Sequence, residues 1–101
     1  MIYFLIPVYN ESLNIAGLKQ EFSVTLPDLE KLYLFVDDRS TDDTVNVIHQ
    51  SFQGTNYHVI EKEINKGPGD SFNLGFEWIL ENSKPELNES PGPLLISFSI
   101  T

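Results

Sequence analysis

The sequence predicts an α/β domain built on a parallel sheet, with the element order βαβαβαβ. Two observations predict it. Four short segments, residues 2–6, 32–36, 57–60 and 94–98, are apolar almost throughout, the composition of strands covered on both faces rather than one. Between them lie segments whose apolar residues recur at helical spacing. Alternating strands and helices of this kind join by right-handed crossovers into one parallel sheet.

The first strand, 2–6, ends at Pro7, which has no N–H for a ladder. Asn10, Glu11 and Ser12 follow, and a helix from about Ser12 presents Ile15, Leu18 and Phe22 on one face. Pro27 and Asp28 close that unit. The second strand, 32–36, runs straight into Asp37 and Asp38. Ser40, with Asp43 three residues on, has the spacing of a capping box, which predicts a helix from about Thr41 capped by the Ser40 hydroxyl. Val45, Ile48 and Phe52 would face inward, with Gly54 beyond the end where a C-cap glycine belongs. The third strand leads through a charged run to Asn65, Lys66, Gly67, Pro68 and Gly69, a loop. A third helix, from about Asp70 to Leu80, carries Phe72, Gly75, Phe76, Ile79 and Leu80 on one face, the strongest periodicity in the chain. A polar, Pro-rich connection then reaches the fourth strand.

At 101 residues the chain is one domain, with 41% hydrophobic and 21% charged residues, a composition that folds rather than staying disordered. Six basic against fifteen acidic residues give a net charge of −9, which repels nucleic acid and anionic lipid and argues against a nucleic-acid partner. The absence of cysteine excludes disulfides, thiolate metal sites and a Cys nucleophile. Two histidines, His49 and His58, are too few for a His-based metal cluster. The apolar run at the start is too short for a signal peptide and none is long enough to span a bilayer, so a cytoplasmic location is expected.

Three loops meet at one edge of such a sheet. The first carries Pro7, Tyr9, Asn10 and Glu11, the second Asp37 and Asp38, the third Gly67 and Gly69. Ligands of open α/β sheets sit outside the carboxyl ends of the strands, where the acidic pair falls. Tyr9 can stack on a base, a carboxylate can accept from a base N–H or ribose hydroxyl, and the glycines let backbone approach a ligand. Together these describe a nucleotide pocket. The plainer alternative makes both Asp side chains solvated turn residues. The dinucleotide-binding glycine pattern and the phosphate-binding Gly-Lys-Ser/Thr loop are both absent. Arg39, Lys62 and Lys66 can offset phosphate charge, but lysines near loops are ordinarily solvated. Asp42 is expected on the outer side of the helix start, without a part in binding.

Three motifs in order, Ile6-Pro7-Val8-Tyr9-Asn10-Glu11, then Val36-Asp37-Asp38-Arg39-Ser40-Thr41-Asp42, then Asn65-Lys66-Gly67-Pro68-Gly69 with Asn73-Leu74-Gly75, resemble the family 2 glycosyltransferases. Within that family they are most similar to the dolichol-phosphate mannose synthase-like branch. The resemblance covers residues 2 to about 80. It implies the Rossmann-like, nucleotide-binding half of a GT-A fold, a UDP- or GDP-sugar donor, and sugar transfer to a polyprenyl phosphate or glycan acceptor. It assigns Pro7, Tyr9 and Glu11 to the nucleoside and Val36 and Asp38 to the base, with Asp37 in support.

The match has a limit. In the family the next strand ends in an Asp-x-Asp motif that holds Mg or Mn against the donor diphosphate. Here the corresponding stretch reads Leu95-Ile96-Ser97-Phe98-Ser99-Ile100-Thr101, and no carboxylate follows Glu89. Serines replace such ligands poorly, since a hard cation wants charged oxygens. The expectation is an N-terminal half-domain with an atypical tail at 88–101, binding the nucleotide sugar without transferring it and self-associating through an apolar edge near 94–98. Two other readings compete, a receiver-like signalling domain and a non-catalytic nucleotide-binding protein. The receiver-like reading is weakened because its acidic pair would follow the first strand.

Overall fold

The computed structural model describes residues 1–83 and 94–97. Strands β1 (Ile2–Val8), β2 (Lys31–Asp37), β3 (Tyr57–Glu61) and β4 (Leu94–Ser97) alternate with helices α1 (Ile15–Ser23), α2 (Thr44–Phe52) and α3 (Pro68–Asn82). The strand pairs are parallel and the spatial order is β3-β2-β1-β4. The chain therefore builds outward from β1 to β3 and then crosses back to the other side of β1. That reversal makes a topological switch point between β1 and β4, where parallel sheets open to ligands at their carboxyl ends.

Strand period two divides the core into two layers. Ile2, Phe4, Ile6 and Val8 of β1, with Tyr33 and Phe35 of β2, face α1 and α2 and pack on Ile15, Leu18, Phe22, Ile48 and Phe52. Rings dominate this layer. Phe35 meets Phe52 edge-on at 4.8 Å between centroids, and Phe4 meets Phe22 at 5.0 Å, the T-shaped geometry that aromatic quadrupoles favour. The alternate residues Tyr3, Leu5, Leu34 and Val36 face the other way, onto Ile79 of α3. Both faces of β1 and β2 are thus covered, which is why their sequences read as unbroken apolar runs.

The apolar face of α3 is only half used. Gly75 and Ile79 are buried, whereas Phe76 is 40% and Leu80 52% exposed, with the Phe76 ring stacked on Phe72. The periodicity of this helix describes more apolar surface than the described residues cover. Of the segment 94–98 that the sequence marks as an apolar edge, Leu95 and Ile96 are half-buried, Ser97 is exposed, and Phe98 lies outside the described residues, as does most of the 88–101 tail.

Pro7 does not end the first strand. Ile2 N–H and Val8 C=O both bond toward β2, so the odd residues of β1 turn their polar groups toward β4. The described β1–β4 pairing stops at Leu5, and Pro7 lies beyond it, where its missing N–H breaks no described bond. Helix α2 also departs from expectation. It begins at Thr44 rather than near Thr41, and its N-cap is Asp43, without a side-chain capping bond. Ser40 is drawn away by stronger partners described below. Gly54, at φ 88°, follows the C-cap residue Gln53, the position that needs a left-handed residue.

Gly75 marks the closest approach of α3 to the sheet. A Cβ there would lie 2.2 Å from Leu5 Cδ1 and 3.0 Å from Val36 Cγ2, while one at Gly17 in α1 would meet nothing within 4 Å. Leu5 and Val36 are fully buried, so neither can swing aside without disturbing the layer. Gly75→Ala should destabilise the chain by about 1–3 kcal/mol through overpacking, more than the ~1 kcal/mol helix propensity it gains. Gly17→Ala should be neutral or stabilising. Thermal melts of the two variants check the contrast.

Candidate nucleotide site at the carboxyl edge of the sheet

The loop after β1 and the loop after β2 are stitched together by backbone N–H groups and short polar side chains. Asn10 stands in the left-handed region at φ 51°, a conformation its short amide tolerates better than most side chains do. Its N–H donates to Ser40 Oγ at 2.9 Å, and its Oδ1 accepts from Thr41 N–H at 2.8 Å and Asp42 N–H at 3.3 Å. Glu11 N–H donates to the hydroxyl of Thr44 at 2.9 Å, and Ser12 N–H to Asp42 Oδ2 at 3.4 Å. Asp42 also accepts from the N–H of Thr44 at 2.9 Å and from its hydroxyl. It is therefore no bystander on the outer side of a helix start, because it ties the first loop to the second.

Asp37 and Asp38 close the same edge from β2. Asp37 is buried and spends its carboxylate on Ser40, accepting from the N–H at 3.0 Å and the hydroxyl at 2.5 Å. This is the bond that takes Ser40 out of a capping role. Asp38 is buried too, and its own N–H donates to Val8 O at 2.9 Å, fixing the β1 and β2 ends together. Its Oδ1 accepts from Lys66 N–H at 3.0 Å and its Oδ2 from Gly67 N–H at 2.8 Å. The ammonium of Lys62 lies 2.7 Å from Asp38 Oδ1 and 2.6 Å from Asp70 Oδ2, and donates to Ser71 Oγ at 3.2 Å. Its side chain is only 6% exposed. Lys62 is thus a buried bridge from the end of β3 to β2 and α3, not the solvated loop lysine that the sequence suggests. The signal for it is positional: Lys62 directly follows β3, as Asp38 directly follows β2.

Burial pushes the Asp38 carboxyl up, but Lys62 and the N–H groups of Lys66 and Gly67 outweigh it and hold the group below its ordinary value of 3.8. Burial likewise pushes Lys62 down, and Asp38 and Asp70 reverse this, leaving it above 10.5. Arg39, at φ 60°, donates its guanidinium to the carbonyl of Glu63, joining the second loop to the third. The Gly67 backbone, at φ 93°, starts α3, with Pro68 in its first turn.

The sequence-predicted residues fall around this edge in different ways. Tyr9 is 46% exposed beside the stitched loops, and Pro7 is half-buried at the end of β1. Glu11 is half-buried, its Oε2 accepting from Asn14 Nδ2 at 2.7 Å. Asp38 is at the centre. Val36 has no exposed surface and packs beneath Gly75, so its side chain is not part of the open surface of this edge. Among the described residues no group of three or more His, Asp or Glu side chains is placed to hold a metal ion.

Comparison with known proteins places the chain. The model of glycosyl transferase family 2 matches residues 3–81, and the chain belongs to that family. Among solved structures, S. aureus TarS 1-349 in complex with UDP superposes with TM-score 0.69 at 24% identity, over 96% of this chain and 27% of that one. A further structure of S. aureus TarS 1-349 gives 0.65 at 26% identity, over 96% and 27%. The mannosyltransferase PcManGT from Pyrobaculum calidifontis, in complex with GDP-Man and Mn2+, gives 0.68 at 20% identity, over 76% and 24%. The fold is that of the GT-A glycosyltransferases, and the chain spans about a quarter of the length of the structures it matches. No curated protein sequence matches it. Family membership sets the receiver-like reading aside.

The ion network has a pH signature. The folded pKa of Asp38 lies below its unfolded one, so its contribution to stability is complete above the ordinary carboxylate range and is lost as pH falls through the lowered value. Lys62 contributes fully below 10.5 and loses its contribution only as pH rises through its raised folded value. Denaturant titrations at stepped pH should show stability falling on acidification below about pH 4. Asp38→Asn should begin about 1–3 kcal/mol less stable and show a shallower acid limb.

Proposed function

We propose that these 101 residues form the donor-binding part of a family 2 glycosyl transferase and take a UDP- or GDP-sugar at the carboxyl edge of the sheet. One observation carries this reading. Three loops from separate crossovers converge there, and the buried carboxylate of Asp38 is aimed and kept ionised by a lysine and two backbone N–H groups. An ionised, preorganised acceptor at a strand end suits a base N–H. Tyr9, exposed beside it, offers a ring face for stacking, with Pro7 and Glu11 on the nucleoside side; Val36 is assigned to the base by the motif resemblance alone. The UDP bound to TarS and the GDP-Man bound to PcManGT are consistent with either base. Within the family, the motif resemblance favours the dolichol-phosphate mannose synthase-like branch and a polyprenyl phosphate or glycan acceptor. A non-catalytic nucleotide-binding role uses the same residues. The reading places the chain in the cytoplasm; no helix among the described residues is long and apolar enough to cross a membrane.

Transfer needs more than this edge supplies. The leaving diphosphate must be stabilised and the acceptor hydroxyl activated. The family's divalent cation serves the first need, and the sequence offers no carboxylate after Glu89 to hold it. The proposal is therefore binding without turnover by these 101 residues. Calorimetry with UDP and GDP should detect binding that Asp38→Asn weakens by about 1–3 kcal/mol, while Glu81→Ala, at the far end of α3, leaves it unchanged. A radiolabelled transfer assay with both nucleotide sugars, a polyprenyl phosphate and manganese should stay at the no-protein background. No nucleotide binding, or equal losses in the two variants, contradicts the site; turnover contradicts the inactivity.

The proposal extends to self-association. Among the described residues β4 is an edge strand, and α3 exposes Phe76 and Leu80, apolar surface of the kind that seeks a partner. Sedimentation at rising concentration should show association, and a monodisperse monomer throughout contradicts it.

A further inference from the structure

We propose that Lys62 is a positioning residue for the donor nucleotide: its buried ammonium clamps one oxygen of Asp38 and leaves on the other, which also accepts from Gly67 N–H, a lone-pair site for the base. The inference rests on the nucleotide reading above and names a residue that the family motifs do not single out. Lys62 is the one lysine whose ammonium the described structure places against two carboxylates, those of Asp38 and Asp70. It arrives from β3, Asp38 from β2 and Asp70 from the first turn of α3, so a single cation fixes the relative placement of all three elements at the edge where a ligand would lie.

The acceptor count supports a positioning role. An ionised carboxylate offers about four lone-pair sites, two on each oxygen. Among the described residues, Asp38 Oδ1 spends both of its sites on Lys62 and Lys66 N–H, whereas Oδ2 accepts only from Gly67 N–H. One site therefore remains, on Oδ2, and Lys62 decides which oxygen keeps it. Stability alone does not call for this arrangement, because well-packed apolar residues often replace a buried ion pair without loss. A charged clamp at a strand end makes sense if Asp38 must stay ionised and oriented for a ligand.

The surroundings of Asp38 leave Lys62 as its principal charge partner. Asp37, the preceding residue, is engaged by Ser40, and Asp70 faces the ammonium from α3. Arg39 is turned to the carbonyl of Glu63, Lys66 meets Asp38 through its backbone N–H, and Glu11 of the β1 loop is bonded to Asn14. Without the ammonium, only the N–H groups of Lys66 and Gly67 would oppose burial, and Asp38 would take up a proton at higher pH than it does with Lys62 in place.

Calorimetric titration of UDP and GDP into the full chain tests this, using wild type, Lys62→Met and Lys62→Arg at pH steps from about 5 to about 8, with circular dichroism to confirm folding. Because the terminal phosphate of UDP and GDP itself titrates at about pH 6, each variant's affinity is read as a ratio to wild type at the same pH, and flat means a constant ratio. Lys62→Met should bind about tenfold more weakly at the upper end and weaken further on acidification, while Lys62→Arg stays flat and within about threefold of wild type. If Lys62→Met does not fold, Asp38→Asn/Lys62→Met, which removes both charges together, should bind no worse than Asp38→Asn alone. Wild-type affinity and a flat profile in Lys62→Met, or a further loss in the double variant, overturns the proposal while leaving the nucleotide reading intact. Absence of binding by wild type overturns both.

Discussion

The arrangement of the carboxyl edge depends on one ion network, in which the buried pair Asp38–Lys62 is joined by the exposed Asp70. A carboxylate and an ammonium taken out of water must find each other and satisfy their remaining hydrogen bonds, or the desolvation cost unfolds the site. Here the carboxylate collects two backbone N–H groups as well as the ammonium, and the ammonium adds a second carboxylate and a serine hydroxyl. Satisfying those demands forces the loop after β3 to fold back over the end of β2. It also sets the start of α3 at Gly67, whose positive φ makes the turn possible and whose N–H donates to Asp38. The switch-point topology brings the strand ends together, and the network then gives that edge one geometry.

A second layer of polar bonding holds the loop after β1. Asp37 takes Ser40, Ser40 takes Asn10, and Asn10 in turn receives Thr41 and Asp42. These are short side chains reaching backbone N–H groups, so the loop is held with little rotamer entropy to lose. Tyr9 stays exposed beside this rigid stitching. A ring free to meet a ligand, next to a loop that does not have to be ordered on binding, is what preorganised recognition requires.

Much of this was legible in the sequence because it depends on periodicity. Unbroken apolar strands can only be covered on both faces, and Ile15, Leu18 and Phe22, or Ile48 and Phe52, can only point one way along their helices. The motif order likewise carried the family. What escaped was pairing across the sequence. The Ser40 to Asp43 spacing is a sound capping signal, yet Ser40 lies closer to Asp37 and to Asn10, and those tertiary bonds win, so α2 starts three residues later. Lys62 sits in a charged run where solvation is the ordinary expectation, and only the crossover that stacks it over Asp38 reveals its burial. Val36 is assigned to the base by the motif resemblance alone, and strand alternation sends its side chain down against Gly75. The exposed half of α3 was visible as periodicity but not as exposure, since an apolar stripe does not say how much cover it receives.

The central claim is that the loops after β1, β2 and β3 act as one donor-nucleotide site organised by Asp38. Amide chemical-shift mapping of the 15N-labelled chain during titration with UDP or GDP tests it most directly. Perturbations should concentrate at residues 7–12, 37–42 and 62–70, and leave the far ends of the strands and the C-terminal turns of α1 and α2 unmoved. Saturable shifts centred anywhere else, or none at ligand concentrations that saturate related transferases, would contradict the account.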